Sequence, residues 1–469
     1  MLFNSIDFAI FLPIVFVLFW FVTNRNLKLQ NIMLLLAAYL FYGWWDWRFL
    51  FLLIFSSVFD YFVGLALTNQ TNDRKRKILF LSSITVNLTI LGFFKYYNFF
   101  ADSFINTFSF FGQSFNPGSL NVVLPVGISF YTFQSMSYAF DIYRRKLNPT
   151  KDIIAFMAFV SFFPQLVAGP IQRAAHLLPQ FFVKKQFSYD LAVSGFKTML
   201  LGFFMKVVVA DRLSLYVDAV YGNVGLHTGW SYLVATFFFA IQIYGDFAGY
   251  SLIAIGCAQL FGFNLTQNFN RPYFSASFRE FWSRWHISLS TWFRDYLYIP
   301  LGGNRGTKAR TYFNLFTTFV ISGLWHGANW TFVIWGAIHG MFQIIERLFT
   351  ELKFPKIPKF LSILLVFTVT CFAWVFFRAA NVQDAFHIIK SVFTSPGNTI
   401  HIGDIGIFAF SVFGIIILIV TEFIMEYYPK VNLLNHRLAP VRYATILVMV
   451  ILIISLGVFD GSQFIYFQF

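Results

Sequence analysis

Apolar runs too long for any water-facing shell decide what this chain can fold into. Residues 8–22 and 448–458 are almost continuously apolar, and comparable runs recur along the 469 residues. Only 12% of the residues are charged, about half the roughly 25% usual in a soluble domain. So little polar surface cannot enclose so much apolar surface in water, and lipid must serve as the solvent. In hydrocarbon every backbone N–H and C=O must be satisfied internally, so only helices and closed barrels span it. Barrel strands alternate apolar and polar over about ten residues, which these runs do not. The expected class is an all-α polytopic membrane protein.

Candidate spans lie near 8–22, 31–43, 49–67, 78–97, 121–140, 191–209, 229–262, 311–325, 330–349, 358–377, 404–426 and 440–457, giving about 11 to 12 crossings at about 20 residues each. The 229–262 segment is long for one helix, and bends are expected at Gly245, Gly249 or Gly256. The opening segment has no basic n-region and no small-residue cleavage site, so it reads as a retained first span rather than a signal peptide. With no repeat and no soluble insertion, residues 1–469 read as one membrane-embedded domain with a motif core of about 121–345.

The formal charge of +14 would suggest nucleic acid in a soluble protein. Here the basic residues sit in short loops between apolar runs: Arg25 and Lys28, Arg74 to Lys77, Tyr143 to Lys146, Arg271 to Arg310, Lys353, Lys356 and Lys359, then Lys430, Arg437 and Arg442. An N-terminus outside puts all of them on the cytoplasmic side of a bacterial inner membrane, and no nucleic-acid partner is implied. The poorer loops at 98–120, 213–228 and 379–403 then lie outside. This parity requires residues 152–190 to enter and return without crossing, which Pro164, Gly169 and Pro170 favour. Cys257 and Cys371 are isolated, with neither metal spacing nor a disulfide framework, and no metal site is expected.

Two stretches carry chemistry. In residues 278–306, Phe278, Phe281, Trp282, Trp285, Leu289 and Trp292 recur at helical spacing, opposite Arg279, Ser283, His286, Ser290 and Arg294. Glu280 and Arg284 form an i,i+4 pair. This reads as an amphipathic helix lying at the cytoplasmic interface, ended by Pro300, Gly302, Gly303 and Gly306. As a plain anchor its charges would be solvated. As a donor entrance, Arg279, Arg284 and Arg294 would meet phosphates. In "SGLWHGANW", residues 322–330, the helix of 311–325 has risen about 22 Å from the cytoplasmic side, so His326 lies at membrane depth. An ionisable group there marks a path or a site rather than packing. Neutral imidazole can take a proton from a hydroxyl attacking a thioester. His339, on the return helix, is weighed as a supporting residue against a simple interhelical hydrogen bond; His176, His227, His387, His401 and His436 read as loop or interface residues. A Gly-x-Ser-x-Gly elbow and a P-loop are both absent.

At these residues the chain resembles the membrane-bound O-acyltransferase (MBOAT) superfamily, and within it the bacterial alginate O-acetylation branch. The matching pieces are "FYGWWDWRFL", "LPVGISFYTFQSMSYAFDIYR", "FVSFFPQLVAGPIQR", "FWSRWHISLSTWFRDYLYIPLGGNR" and "LWHGANWTFVIWGAIHG", with a weaker match in the terminal "FIYFQF". The resemblance implies an MBOAT-type helical bundle enclosing a transmembrane tunnel, with a cytosolic acyl donor on one side and an acceptor hydroxyl on the other. By the family pattern His326 is the essential catalytic residue, and the other recurrent position falls on His286. Trp325, Asn329 and His339 are expected to support them. The implied reaction is exopolysaccharide O-acetylation: an acetyl or other acyl group passes from a cytosolic thioester such as acetyl-CoA, a substrate rather than a bound cofactor, to an extracytoplasmic polysaccharide or to an SGNH-type hydrolase-like relay protein. The alternatives are D-alanyl transfer to teichoic acid from a carrier-protein thioester, disfavoured by "YIPLGGNR", and a transporter or flippase without covalent chemistry, disfavoured by the missing repeats.

Overall fold

The computed structural model describes residues 1–110, 123–355, 357–459 and 464–465. Of the loop expected at 98–120, residues 98–110 instead belong to a helix, Tyr97–Phe110, and the rest lies outside the described residues, as do the first residues of the span at 121–140, Lys356 and the last residues of "FIYFQF". The described residues are helical and contain no strand. Among the described residues, eight helices are long and apolar enough to cross a membrane. The runs expected at 8–22 and 31–43 form shorter apolar helices, and those at 121–140 and 311–325 form helices Ile128–Tyr143 and Lys308–His326 of 16 and 19 residues.

The single domain read from the sequence divides into two compact units, and the chain passes between them more than once. The first comprises residues 1–2, 6–192 and 258–266. Its helices are α1 (Ile6–Val17), α2 (Leu27–Gly43), α3 (Leu50–Asn69), α4 (Asp73–Leu91), α5 (Tyr97–Phe110), α6 (Ile128–Tyr143), α7 (Ile153–Ser161), α8 (Phe163–Leu166) and α9 (Ala174–Leu177). Polar side chains join its helices where lipid offers no hydrogen bonds: Ser83 and Asn87 of α4 donate to the Asp60 carboxylate of α3 at 2.6 and 2.9 Å. The segment expected to enter and return is broken into α7, α8 and α9, none longer than nine residues. Its buried backbone is satisfied by side-chain amides: Gln134 and Gln165 both donate to the Phe159 carbonyl, and Gln172 to that of Pro170.

The second unit comprises residues 3–5, 193–257 and 267–469. Its helices are α10 (Tyr189–Phe203, entering from the first unit), α11 (Asp211–Tyr221), α12 (Gly229–Leu260), α13 (Phe278–Arg284), α14 (Ile287–Phe293), α15 (Lys308–His326), α16 (Trp330–Glu351), α17 (Lys359–Arg378), α18 (Val382–Thr394), α19 (Ile405–Tyr427) and α20 (Ala439–Leu456). As one helix, α12 runs through its glycines without stopping at them. They serve close packing instead: a Cβ on Gly249 would stand 2.7 Å from the Gly202 carbonyl, and one on Gly256 2.4 Å from that of Gly195. Small residues on one face let a helix backbone come near its neighbour.

Residues 278–306 do not form the single interfacial helix that their spacing predicts. The helix stops at Trp285, and His286 takes a left-handed φ of 40° before α14 begins. Phe278 packs on Phe342 of α16 and donates its backbone N–H to Glu346, while Trp282 lies against His339 and Trp335. Thus α13 climbs along α16 away from the α16 C-terminal end, and the turn at His286 forms the tip of a helical hairpin. The aromatic stripe packs against protein, and His286, expected on the polar face of the helix, is fully buried.

Candidate active site

Two elements bring imidazoles together. One is the α15–α16 hairpin. A Cβ on Gly323 would stand 2.2 Å from the Phe332 carbonyl, and one on Gly336 2.4 Å from that of Phe319, so the helices meet at backbone contact. Asn329 caps α16 by accepting from the Thr331 N–H at 3.1 Å, and its amide donates to the Ala380 carbonyl at 3.0 Å. His326 is the last residue of α15, and 19 residues at about 1.5 Å each place it some 28 Å from the helix start.

The second element is the α13–α14 tip. Left-handed φ is uncommon for a non-glycine residue and warrants a reason. At His286 the loop before α13 supplies it: Asn270 donates its N–H to the Arg284 carbonyl at 2.9 Å, and the Ile287 N–H donates to the Asn268 carbonyl at 2.9 Å. The two bonds clamp the turn from both sides.

The rings of His286 and His326 lie 6.3 Å apart. Both residues are buried, at 0% and 3% exposure. Trp325 packs against both, at 6.2 and 5.0 Å, and Trp335 and Phe377 face His326 at 5.0 and 5.5 Å. Phe247 of α12 stands edge-on to His286 at 4.6 Å, and Phe464 packs on Phe247 in turn. Nδ1 of His286 lies 3.1 Å from Oδ1 of Asn268. A pair of imidazoles in a water-poor, aromatic-walled space is equipped to move a proton without hydrolysing a reactive ester.

The remaining expected residues lie elsewhere in the unit. His339 sits among Trp282, Trp335, Phe281 and Trp374. Among the described residues neither of its ring nitrogens has a hydrogen-bond partner, so it does not make the interhelical bond weighed for it. Arg284 is held by carboxylates, Glu280 at 2.7 Å and Glu426 at 2.9 Å, and Arg271 shares Glu426 at 2.7 Å. Arg294 is exposed and pairs with the adjacent Asp295 at 2.7 Å. Arg279 is exposed. Among the described residues no cluster of three or more His, Cys, Asp or Glu could hold a metal. Sequence reasoning missed Asn268, 18 residues before His286 in an irregular segment; nothing in its spacing marks it, because its role depends on a tertiary contact.

Known proteins give this geometry a context. Residues 146–382, which include both imidazoles, match the membrane-bound O-acyltransferase family. A probable alginate O-acetylase, AlgI, of Pseudomonas aeruginosa is 42% identical over 84% of this chain and 75% of its own length. A peptidoglycan O-acetyltransferase of Helicobacter pylori is 35% identical over 84% of this chain and 80% of its own. A teichoic acid D-alanyltransferase of Bacillus subtilis is 26% identical over 55% of this chain and 69% of its own. This chain belongs to the membrane-bound O-acyltransferase family, in its alginate O-acetylation branch, and is a multi-pass membrane O-acyltransferase.

Proposed function

We propose that the chain moves an acetyl group from a cytosolic thioester, acetyl-CoA, to a hydroxyl of an extracytoplasmic polysaccharide, directly or through a hydrolase-like relay protein. The observation that carries this reading is the buried imidazole pair, with ring centroids 6.3 Å apart, inside the region of family match. The acetyl preference follows the relatives named for O-acetylation, which share more of this chain than the D-alanyl one does. The setting is the bacterial inner membrane, with the N-terminus outside and the basic loops in the cytoplasm.

In the proposed reaction His326 accepts the proton of the acceptor hydroxyl as its oxygen attacks the thioester carbonyl. The new C–O bond forms, the C–S bond breaks, and the proton passes from the imidazole to the departing sulfur, giving ester and free thiol. His286 holds the reactants in register, and the aromatic wall keeps water from the thioester. Exposed Arg279 is open to donor phosphates, whereas Arg284 is already neutralised by Glu280 and Glu426 and Arg294 is paired with Asp295.

Purified His326→Ala protein should remain folded and lose transfer by on the order of 10²–10⁴-fold, the usual contribution of a positioned acid–base group. Retained activity would take His326 out of the reaction. Mass analysis of surface polymers from cells with and without the chain should show the mass of acetyl; the mass of D-alanyl would move the donor to a carrier-protein thioester.

A further inference from the structure

Asn268 is 1% exposed and lies where three groups converge on one atom. Its Oδ1 is 3.1 Å from Nδ1 of His286, 2.9 Å from Oγ of Ser288 and 3.3 Å from the backbone nitrogen of Ser288. A backbone N–H can only donate. The amide atom facing it must therefore be oxygen, with the Asn268 NH2 on the other side, where it donates to Oγ of Ser251 at 3.1 Å. That orientation leaves His286 no choice at Nδ1: an imidazole nitrogen beside a carbonyl oxygen is favourable only when it bears the proton. In a neutral ring the lone pair is then on Nε2.

We infer that Asn268 is a positioning residue that locks His286 in the Nδ1–H tautomer, so that this imidazole meets the reactants as a hydrogen-bond acceptor and not as a donor. The inference rests on the proposed reaction for its catalytic meaning, though not for its geometry. An acceptor at Nε2 takes a hydrogen bond from a neighbouring hydroxyl of the incoming sugar, the reacting hydroxyl giving its one proton to His326, and cannot donate to a carbonyl oxygen gaining negative charge. His286 is thereby placed on the alcohol side of the transfer. A neutral amide orients the ring without adding a charge, unlike the carboxylate that serves hydrolytic triads. Because Asn268 also accepts from Ser288 and clamps one side of the turn through its own carbonyl, the residue that sets the tautomer of His286 also helps to hold its left-handed backbone.

The experiment is solid-state 15N spectroscopy of the full chain in lipid with labelled histidine, using His286→Gln to assign the signal. The wild-type ring should show the Nδ1–H tautomer. An Nε2–H signal at His286 would overturn the inference whatever the activity. Asn268→Leu should mix the tautomers and lower kcat on the order of ten- to a hundredfold, the scale seen when a hydrogen bond orienting a functional histidine is removed, with the donor KM little changed. Asn268→Asp, which keeps an oxygen at the position, should restore the Nδ1–H signal and part of kcat; folded Asp and Leu variants with equal kcat and unshifted spectra would also overturn it. His286→Ala with undiminished transfer would instead defeat the reading of His286 as part of the reaction, while leaving the tautomer result standing.

Discussion

A basic residue near an active site is not free to bind an anion merely because it is basic. Arg284 has 18% side-chain exposure, and its partner Glu426 has 13%. Each charge removed from water at this depth needs the other, and loss of one partner leaves the other exposed to desolvation. Arg284→Ala should therefore lower stability by about 1–3 kcal/mol, between the values for surface and fully buried pairs, and leave the donor KM unchanged. Arg279→Ala, at an exposed position, should change stability by no more than about 0.5 kcal/mol and raise the donor KM with kcat intact, the pattern of lost uniform binding. Thermal unfolding in detergent and donor titration check both; a higher donor KM in Arg284→Ala without loss of stability would return Arg284 to the donor. At this scale the sequence was partly legible. His326 stood out because an imidazole in an apolar run has few bland explanations. The occupancy of Arg284 by Glu426 was hidden, since the two lie 142 residues apart.

Between elements, distance depends on glycine. The α15–α16 hairpin presents Gly323 to the Phe332 carbonyl, a backbone atom that cannot rotate away. Gly323→Ala must push the helices apart, at about 1–3 kcal/mol for an overpacked contact. Because His326 and Trp335 sit on the two sides of this contact at 5.0 Å, the same change should reduce transfer although Gly323 touches no reacting atom. Wild-type stability together with wild-type activity in this variant would show that the hairpin relaxes without cost. Hydropathy made the two helices of the hairpin readable in advance. The break at Trp285–His286 was not: "SRWHIS" contains no Gly or Pro, its aromatic spacing fits one continuous helix, and the turn exists because Asn268 and Asn270 grip it from outside the segment. A periodic pattern reports which face is apolar, but not whether lipid or protein will cover it.

For the molecule as a membrane protein, the remaining question is sidedness, and the second unit supplies a test within itself. The α15 helix starts beside Arg305 and Lys308, and α16 returns to Lys353, so both basic ends share one side, with the His326 turn at the other end of the hairpin. From Lys359, α17 crosses to Arg378 and the loop of 379–403, which has a single Lys. The positive-inside bias then assigns Arg305 to the cytoplasm and Asn398 to the outside. Cysteines placed singly at Arg305 and Asn398, in a background where Cys257 and Cys371 are replaced by Ala, should divide cleanly. A membrane-impermeant thiol reagent added to intact spheroplasts should label position 398 and reach position 305 only after lysis. The reverse pattern would invert the chain and put the His326 end of the hairpin on the cytosolic side. The acceptor alcohol, not the thioester, would then have the longer path to His326, and the orientation proposed above could not stand.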